Sequence, residues 1–181
     1  MDLDSNLTQW INSLSGHFAA LDSLMRWVTV GGPILLVVVV GLRWWSRKQR
    51  EFQRHLAIAC GLSTALGLAF NQLILLFYHR PRPYDSGITR LIIEKSADPS
   101  FPSDHATVGF AITACLLLAR DRQGLVFFLF STLICFSRVY VGTHYVTDLI
   151  GGAFTGIFAA MIVTRLYATL NPITGKLVKI C

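Results

Sequence analysis

The chain has 181 residues, 53% of them hydrophobic and only 14% charged, with a mean hydropathy of +0.53. A soluble domain carries about 25% charged residues, so there is too little charge here to coat a water-exposed surface. The formal charge of +6 does not argue for nucleic acid. Arg43, Arg47, Lys48, Arg50 and Arg54 gather between two apolar runs, where membrane proteins keep cytoplasmic anchors, and no basic-aromatic surface accompanies them.

Residues 1–22 are polar and acidic, with Asp2, Asp4 and Asp22 and neither Lys nor Arg. Leu7, Trp10, Ile11 and Leu14 fall at helical spacing, which predicts a short helix lying at the membrane interface. No basic stretch precedes the first apolar run, so no cleavable signal peptide is expected. The first span is predicted from about Leu24 to Trp45, interrupted by Gly31, Gly32 and Pro33. Membrane helices tolerate such breakers when neighbours satisfy the freed backbone groups. Trp44 and Trp45 stand where an aromatic belt belongs.

The second span covers about His55 to Tyr78 and stops at His79-Arg80-Pro81-Arg82-Pro83, because a residue before proline is pushed away from helical geometry. A polar loop follows over about residues 84–102. The third span runs from Ser103 to Leu118, closed by Arg120-Asp121-Arg122. The fourth covers Leu125 to Phe136 and continues toward Val141; the fifth covers Val146 to Leu166. A tail carries Lys176 and Lys179. The expected architecture is all-α: a polytopic membrane bundle of about five transmembrane helices plus an interfacial helix. It forms one membrane domain over residues 1–181, with a motif-bearing core at about 55–165. Cys60, Cys115 and Cys135 lie inside apolar runs and Cys181 is the last residue. Without metal-ligand spacing they read as free thiols.

Five spans put the two termini on opposite sides. The side with the 43–54 loop, the 120–122 turn and the tail holds ten of the sixteen Lys and Arg but only Glu51 and Asp121 of the ten acids. By the positive-inside rule that side is cytoplasmic. The first residues, the 84–102 loop and the 138–144 turn are then expected to face outward.

Three polar clusters fall at the outward helix ends: His79-Arg80-Pro81-Arg82-Pro83, Phe101-Pro102-Ser103-Asp104-His105 and Ser137-Arg138-x5-His144-x3-Asp148. Ionisable groups at a membrane span are costly and mark function. Arginine presents a planar, permanently charged fork that matches phosphate oxygens, so Arg82 and Arg138 are the expected clamps. Ser103 stands at the mouth of the third helix, where its hydroxyl and the following N–H groups suit an anion. His144 and Asp148 are four apart, on one face of the fifth helix if that helix begins before His144. An Asp accepting from Nδ1–H leaves Nε2 free to attack phosphorus. His105 is placed to protonate the leaving oxygen. This chemistry needs no metal and no cofactor.

These residues resemble the type 2 phosphatidic-acid phosphatase superfamily, whose signatures are Lys-x6-Arg-Pro, Pro-Ser-Gly-His and Ser-Arg-x5-His-x3-Asp. The third is met in full from Ser137 to Asp148. The second is met at Pro102, Ser103 and His105, and the first only at Arg82-Pro83. The resemblance implies His144 as nucleophile, Asp148 as its partner, His105 as general acid, and Arg82, Ser103 and Arg138 as phosphate ligands. Two departures stand out. Leu75 occupies the place of the motif lysine, and Arg80 is the candidate to supply its charge. Asp104 replaces the motif glycine, at the rim of the phosphate site; it is expected to point away from the substrate or to pair with an arginine.

Arg-Pro-Arg-Pro together with Ser-Phe-Pro-Ser-Asp-His-Ala-Thr looks like the bacitracin-resistance type of undecaprenyl pyrophosphate phosphatase. That resemblance implies a bacterial inner-membrane enzyme that removes the terminal phosphate of a long isoprenoid diphosphate on the outer face. A phospholipid monophosphate phosphatase or phosphotransferase, and a silent lipid-binding or transport protein, are the alternatives.

Overall fold

The computed structural model describes residues 2–180, with side chains through Tyr167; the side chains of Lys176, Lys179 and Cys181 fall outside that range. Among the described residues there are only helices: α1 (Leu3–Asn12), α2 (Ala19–Leu42) with a 3-10 turn at Arg43–Trp45, α3 (Arg50–Leu75), α4 (Asp104–Leu118), α5 (Gly124–Tyr140) and α6 (Val146–Ile180).

The five apolar runs thus become five helices in the expected order, after a short first helix. Ala19–Trp45, Arg50–Leu75 and Val146–Tyr167 are long and apolar enough to cross a membrane, whereas α4 and α5, at 15 and 17 residues, are shorter. At 1.5 Å per residue these two measure about 22 and 25 Å, against a hydrocarbon core of about 30 Å. Pro33 sits inside α2 without ending it. Trp27, Val30 and Ile34 of α2 are exposed, as befits a helix whose outer face meets lipid.

Helix α4 is central, with Ile112, Cys115 and Leu116 buried against Leu36, Leu56, Ile134 and Ala160 of the four surrounding helices. Cys60, Cys115 and Cys135 are free and buried, as expected. Two glycines of α6 set its distance from α4. A Cβ at Gly152 would strike the Ser103 carbonyl, and one at Gly156 the Thr107 carbonyl. Small residues four apart let membrane helices approach to backbone contact. That approach allows Ser103 N–H to donate to the Asp148 carbonyl at 3.1 Å, which ties the start of α4 to the start of α6. The second and third clusters meet because of it.

At the opposite end, Arg43 is paired with Asp121 at 2.9 Å and donates to Gln123 at 2.6 Å, joining α2 to the α4–α5 turn.

Candidate active site

The turn between α5 and α6 carries His144. Gly142 adopts φ +90°, a conformation open to glycine without strain, and a Cβ there would meet the Arg90 carbonyl at 2.5 Å. The turn closes through Thr143, whose N–H and hydroxyl both donate to the Arg138 carbonyl, at 3.0 and 2.9 Å. Arg138 and His144 therefore face one another across a single tight loop.

Arg82 reaches the same point from the α3–α4 connection. Its Nε donates to the Asp98 carbonyl at 2.8 Å and its Nη2 to the Ser96 hydroxyl at 3.3 Å. Nη1 donates to the Thr143 carbonyl at 3.0 Å and lies 3.3 Å from Nε2 of His144. Arg138 places its Nη2 at 3.3 Å from the same Nε2, with Nη1 on the Thr29 hydroxyl at 3.1 Å. Both arginines are buried, and His144 is 3% exposed.

These contacts fix the histidine's tautomer. A guanidinium can only donate, so the Nε2 flanked by two of them carries the lone pair. The proton sits on Nδ1 and is donated to the Ser100 carbonyl at 2.8 Å. Burial pushes the His144 imidazole down to about 4. Asp148 pulls the other way, while the Arg138 and Arg82 charges add to the effect of burial. The ring is neutral at ordinary pH, with its lone pair directed between two guanidiniums.

Asp148 lies 3.5 Å from Nδ1 through Oδ2, farther than the Ser100 carbonyl. The expected helical i,i+4 pairing is corrected here, because α6 begins at Val146 and His144 precedes it. Asp148 instead acts from the first turn of α6. Its Oδ2 accepts from the Tyr145 N–H at 2.8 Å and from the Ser100 hydroxyl. Acid in the first turn accepting from a backbone N–H ahead of the helix is a capping interaction. The carboxylate is fully buried and holds both the turn and Ser100, whose carbonyl grips Nδ1.

Ser103 precedes α4 with extended backbone and makes no side-chain cap. Its hydroxyl is buried and, like Nε of Arg138, has no hydrogen-bond partner among the described residues. A buried unpaired polar group costs about 1–3 kcal/mol, and a bound oxyanion would satisfy both donors. His105 is half-buried in the first turn of α4.

Arg80 and Asp104 pair with other side chains. Arg80 is taken up by carboxylates: Nη1 donates to Asp148 Oδ1 and to the Thr147 hydroxyl, each at 2.7 Å, and Nη2 to Asp4 at 2.8 Å. It lies over the Tyr145 ring at 3.7 Å. Burial works against its charge, yet Asp4 and Asp148 hold its pKa above the ordinary arginine value. Asp104 is exposed and accepts from Asn71 of α3 at 2.7 Å. Thr29, Asn71 and Asp4 contribute contacts that no motif announces, whereas Ser100 opens the Ser-Phe-Pro-Ser-Asp-His-Ala-Thr run.

Two buried arginines, a histidine whose Nε2 lone pair lies between them and a serine hydroxyl at a helix start, without a partner among the described residues, meet at one end of the helix bundle. Residues 56–172 match the PAP2 superfamily. The undecaprenyl-diphosphatase BcrC of Bacillus subtilis (strain 168) is 32% identical over 94% of this chain and 87% of its own length. The putative undecaprenyl-diphosphatase YbjG of Escherichia coli (strain K12) is 33% identical over 70% of this chain and 62% of its own length. The fold is shared with Aquifex aeolicus LpxE, at a TM-score of 0.62 and 23% identity, over 91% of this chain and 96% of that one. The chain belongs to the PAP2 superfamily and is a membrane-embedded lipid phosphatase.

Proposed function

We propose that the protein removes the terminal phosphate of undecaprenyl diphosphate, or a similar polyprenyl diphosphate, through a phosphohistidine on His144. The observation that carries this reading is the convergence of Arg82 and Arg138 on Nε2 of His144, each at 3.3 Å. The substrate assignment leans on the likeness to BcrC across nearly the whole chain.

In the first step the Nε2 lone pair forms a bond to the terminal phosphorus. The bridging P–O bond breaks, and His105 gives its proton to the departing lipid monophosphate. Arg82, Arg138, the Ser103 hydroxyl and the N–H groups at the start of α4 neutralise the charge gathering on the equatorial oxygens. Positive charge on the phosphorylated imidazole is supported by Nδ1–H donation to Ser100, with Asp148 behind it. In the second step water attacks the phosphohistidine, His105 takes its proton, and orthophosphate leaves. Microscopic reversibility gives His105 both roles. Two guanidiniums and a helix start supply the stabilisation that a metal supplies in other phosphatases.

The whole chain, residues 1–181, works as one membrane domain in this reading. The basic 43–54 loop and 120–122 turn set the orientation, with the site at the outer face of a bacterial cytoplasmic membrane. The isoprenoid tail lies along the exposed apolar helices.

Phosphate release from undecaprenyl diphosphate, phosphatidic acid and phosphatidylglycerophosphate, measured on the same purified enzyme, tests the assignment. The diphosphate should be turned over at least tenfold faster per enzyme. A preference for either monophosphate rejects the substrate, while loss of all three in His144→Ala keeps the chemistry.

A further inference from the structure

Helix α1 is amphipathic in an unusual sense: its buried side is polar. Ser5, Thr8 and Asn12 are buried, whereas Leu3, Leu7 and Trp10 are exposed. The polar side is bonded to the rim of the site. The Thr8 hydroxyl accepts from the N–H of Val146 at 3.2 Å, the first residue of α6. Asn12 accepts from the Arg90 N–H at 2.7 Å and donates to the Arg90 and Tyr140 carbonyls at 2.9 Å.

Asp4 makes the contact with the most chemistry behind it. One oxygen accepts from Arg80 at 2.8 Å and from the Thr147 hydroxyl; the other accepts from the Thr147 N–H at 3.1 Å. The opposite nitrogen of the same guanidinium donates to Oδ1 of Asp148 at 2.7 Å. The chain Asp4–Arg80–Asp148 is therefore continuous, and its members are largely shielded, with side-chain exposures of 13%, 18% and 0%. An exposed ion pair contributes little. Here, however, a planar guanidinium is fixed at both ends and stacked on Tyr145, so its position dictates where the Asp148 carboxylate can sit.

We propose that Asp4 is a positioning residue of the phosphatase site. It holds Arg80 in the one placement that orients Asp148 behind His144. The proposal rests on the His144–Asp148 reading above. It also explains the charge pattern, since Arg80 sits between two carboxylates instead of joining Arg82 and Arg138. Asp4 touches neither substrate nor nucleophile, so its effect must pass through Arg80. Effects that share one pathway do not add.

The test is a double-mutant cycle on the full chain, using Asp4→Asn, Arg80→Met and the double variant. It reads kcat, KM and the thermal midpoint in one detergent, with Asp4→Glu as the conservative variant. Asp4→Asn should lower kcat about tenfold with KM little changed. Arg80→Met should lower kcat further, and the double variant should fall no lower than Arg80→Met alone. Asp4→Glu should recover part of the loss, with thermal midpoints alike across the set. Wild-type kcat in Asp4→Asn, additive losses in the double variant, or losses that follow the thermal midpoint would each overturn the proposal. The cycle is read on whichever lipid phosphate the wild type turns over, and His144→Ala serves as the blank. A failed substrate assignment is therefore told apart from a failed role for Asp4.

Discussion

Nδ1 of His144 lies 2.8 Å from the Ser100 carbonyl, and that backbone oxygen, not a side chain, is its nearest acceptor. Asp148 stands behind at 3.5 Å and holds Ser100 by accepting from its hydroxyl. The tautomer of His144 is thus set by a peptide group that no substitution removes, and the carboxylate supports it from behind Ser100.

This division of labour predicts an unequal mutant series. Asp148→Asn should cost about a hundredfold in kcat, less than the roughly ten-thousandfold loss from the corresponding change in a serine triad, because the Ser100 carbonyl still holds Nδ1–H. Ser100→Ala keeps the carbonyl and loses only one charge-assisted hydrogen bond, so its loss should be nearer tenfold. Steady-state kinetics on the two variants checks the order; Ser100→Ala falling below Asp148→Asn would contradict it.

The pH profile should carry the signature of a buried imidazole. His144 must be neutral to attack, and its pKa is pushed down to about 4. Its protonation should therefore cut kcat/KM only as pH falls through that region, well below the ordinary histidine range. Arg138→Gln removes a positive neighbour that disfavours the imidazolium, so the acidic limb should move to higher pH as the rate drops. A limb that stays in place would separate it from His144.

Chelation should leave the activity intact. The charge stabilisation in the proposed mechanism comes from Arg82, Arg138 and the start of α4, so dialysis against a strong chelator should change turnover by less than twofold. Loss restored by a divalent cation would count against the mechanism.

The close approach of α4 and α6 can be tested apart from chemistry. Gly152→Val places a branched side chain against the Ser103 carbonyl. It should destabilise the fold by about 1–3 kcal/mol, as overpacking does, while spreading Ser103 from Asp148. Gly31→Ala, where a Cβ meets nothing within 4 Å, should match the wild type. Thermal midpoints in one detergent decide between them.

The helices were legible because membrane spans are written as long apolar runs, and the break at His79-Arg80-Pro81 is enforced by proline. The gathering of Arg82, Arg138 and His144 was also legible, since each closes a span at the same end. What Arg80 and Asp104 bind was not. Their partners, Asp4 and Asn71, lie 76 and 33 residues away in sequence, and charge alone does not tell a phosphate ligand from an internal ion-pair partner. The start of α6 at Val146 shows a second limit: a spacing of four suggests one helical face, but a cap residue and the loop before it produce the same spacing.

His144 is the residue proposed to carry the phosphoryl group. Acid-labile, base-stable label can be trapped by rapid alkaline quench of the enzyme with substrate labelled in its terminal phosphate, then mapped by mass spectrometry. Phosphate should appear on Nε2 of His144 within one turnover and be absent from His144→Ala, which should itself be inactive. Label on another residue, or a His144→Ala enzyme that still turns over within tenfold of wild type, would contradict it.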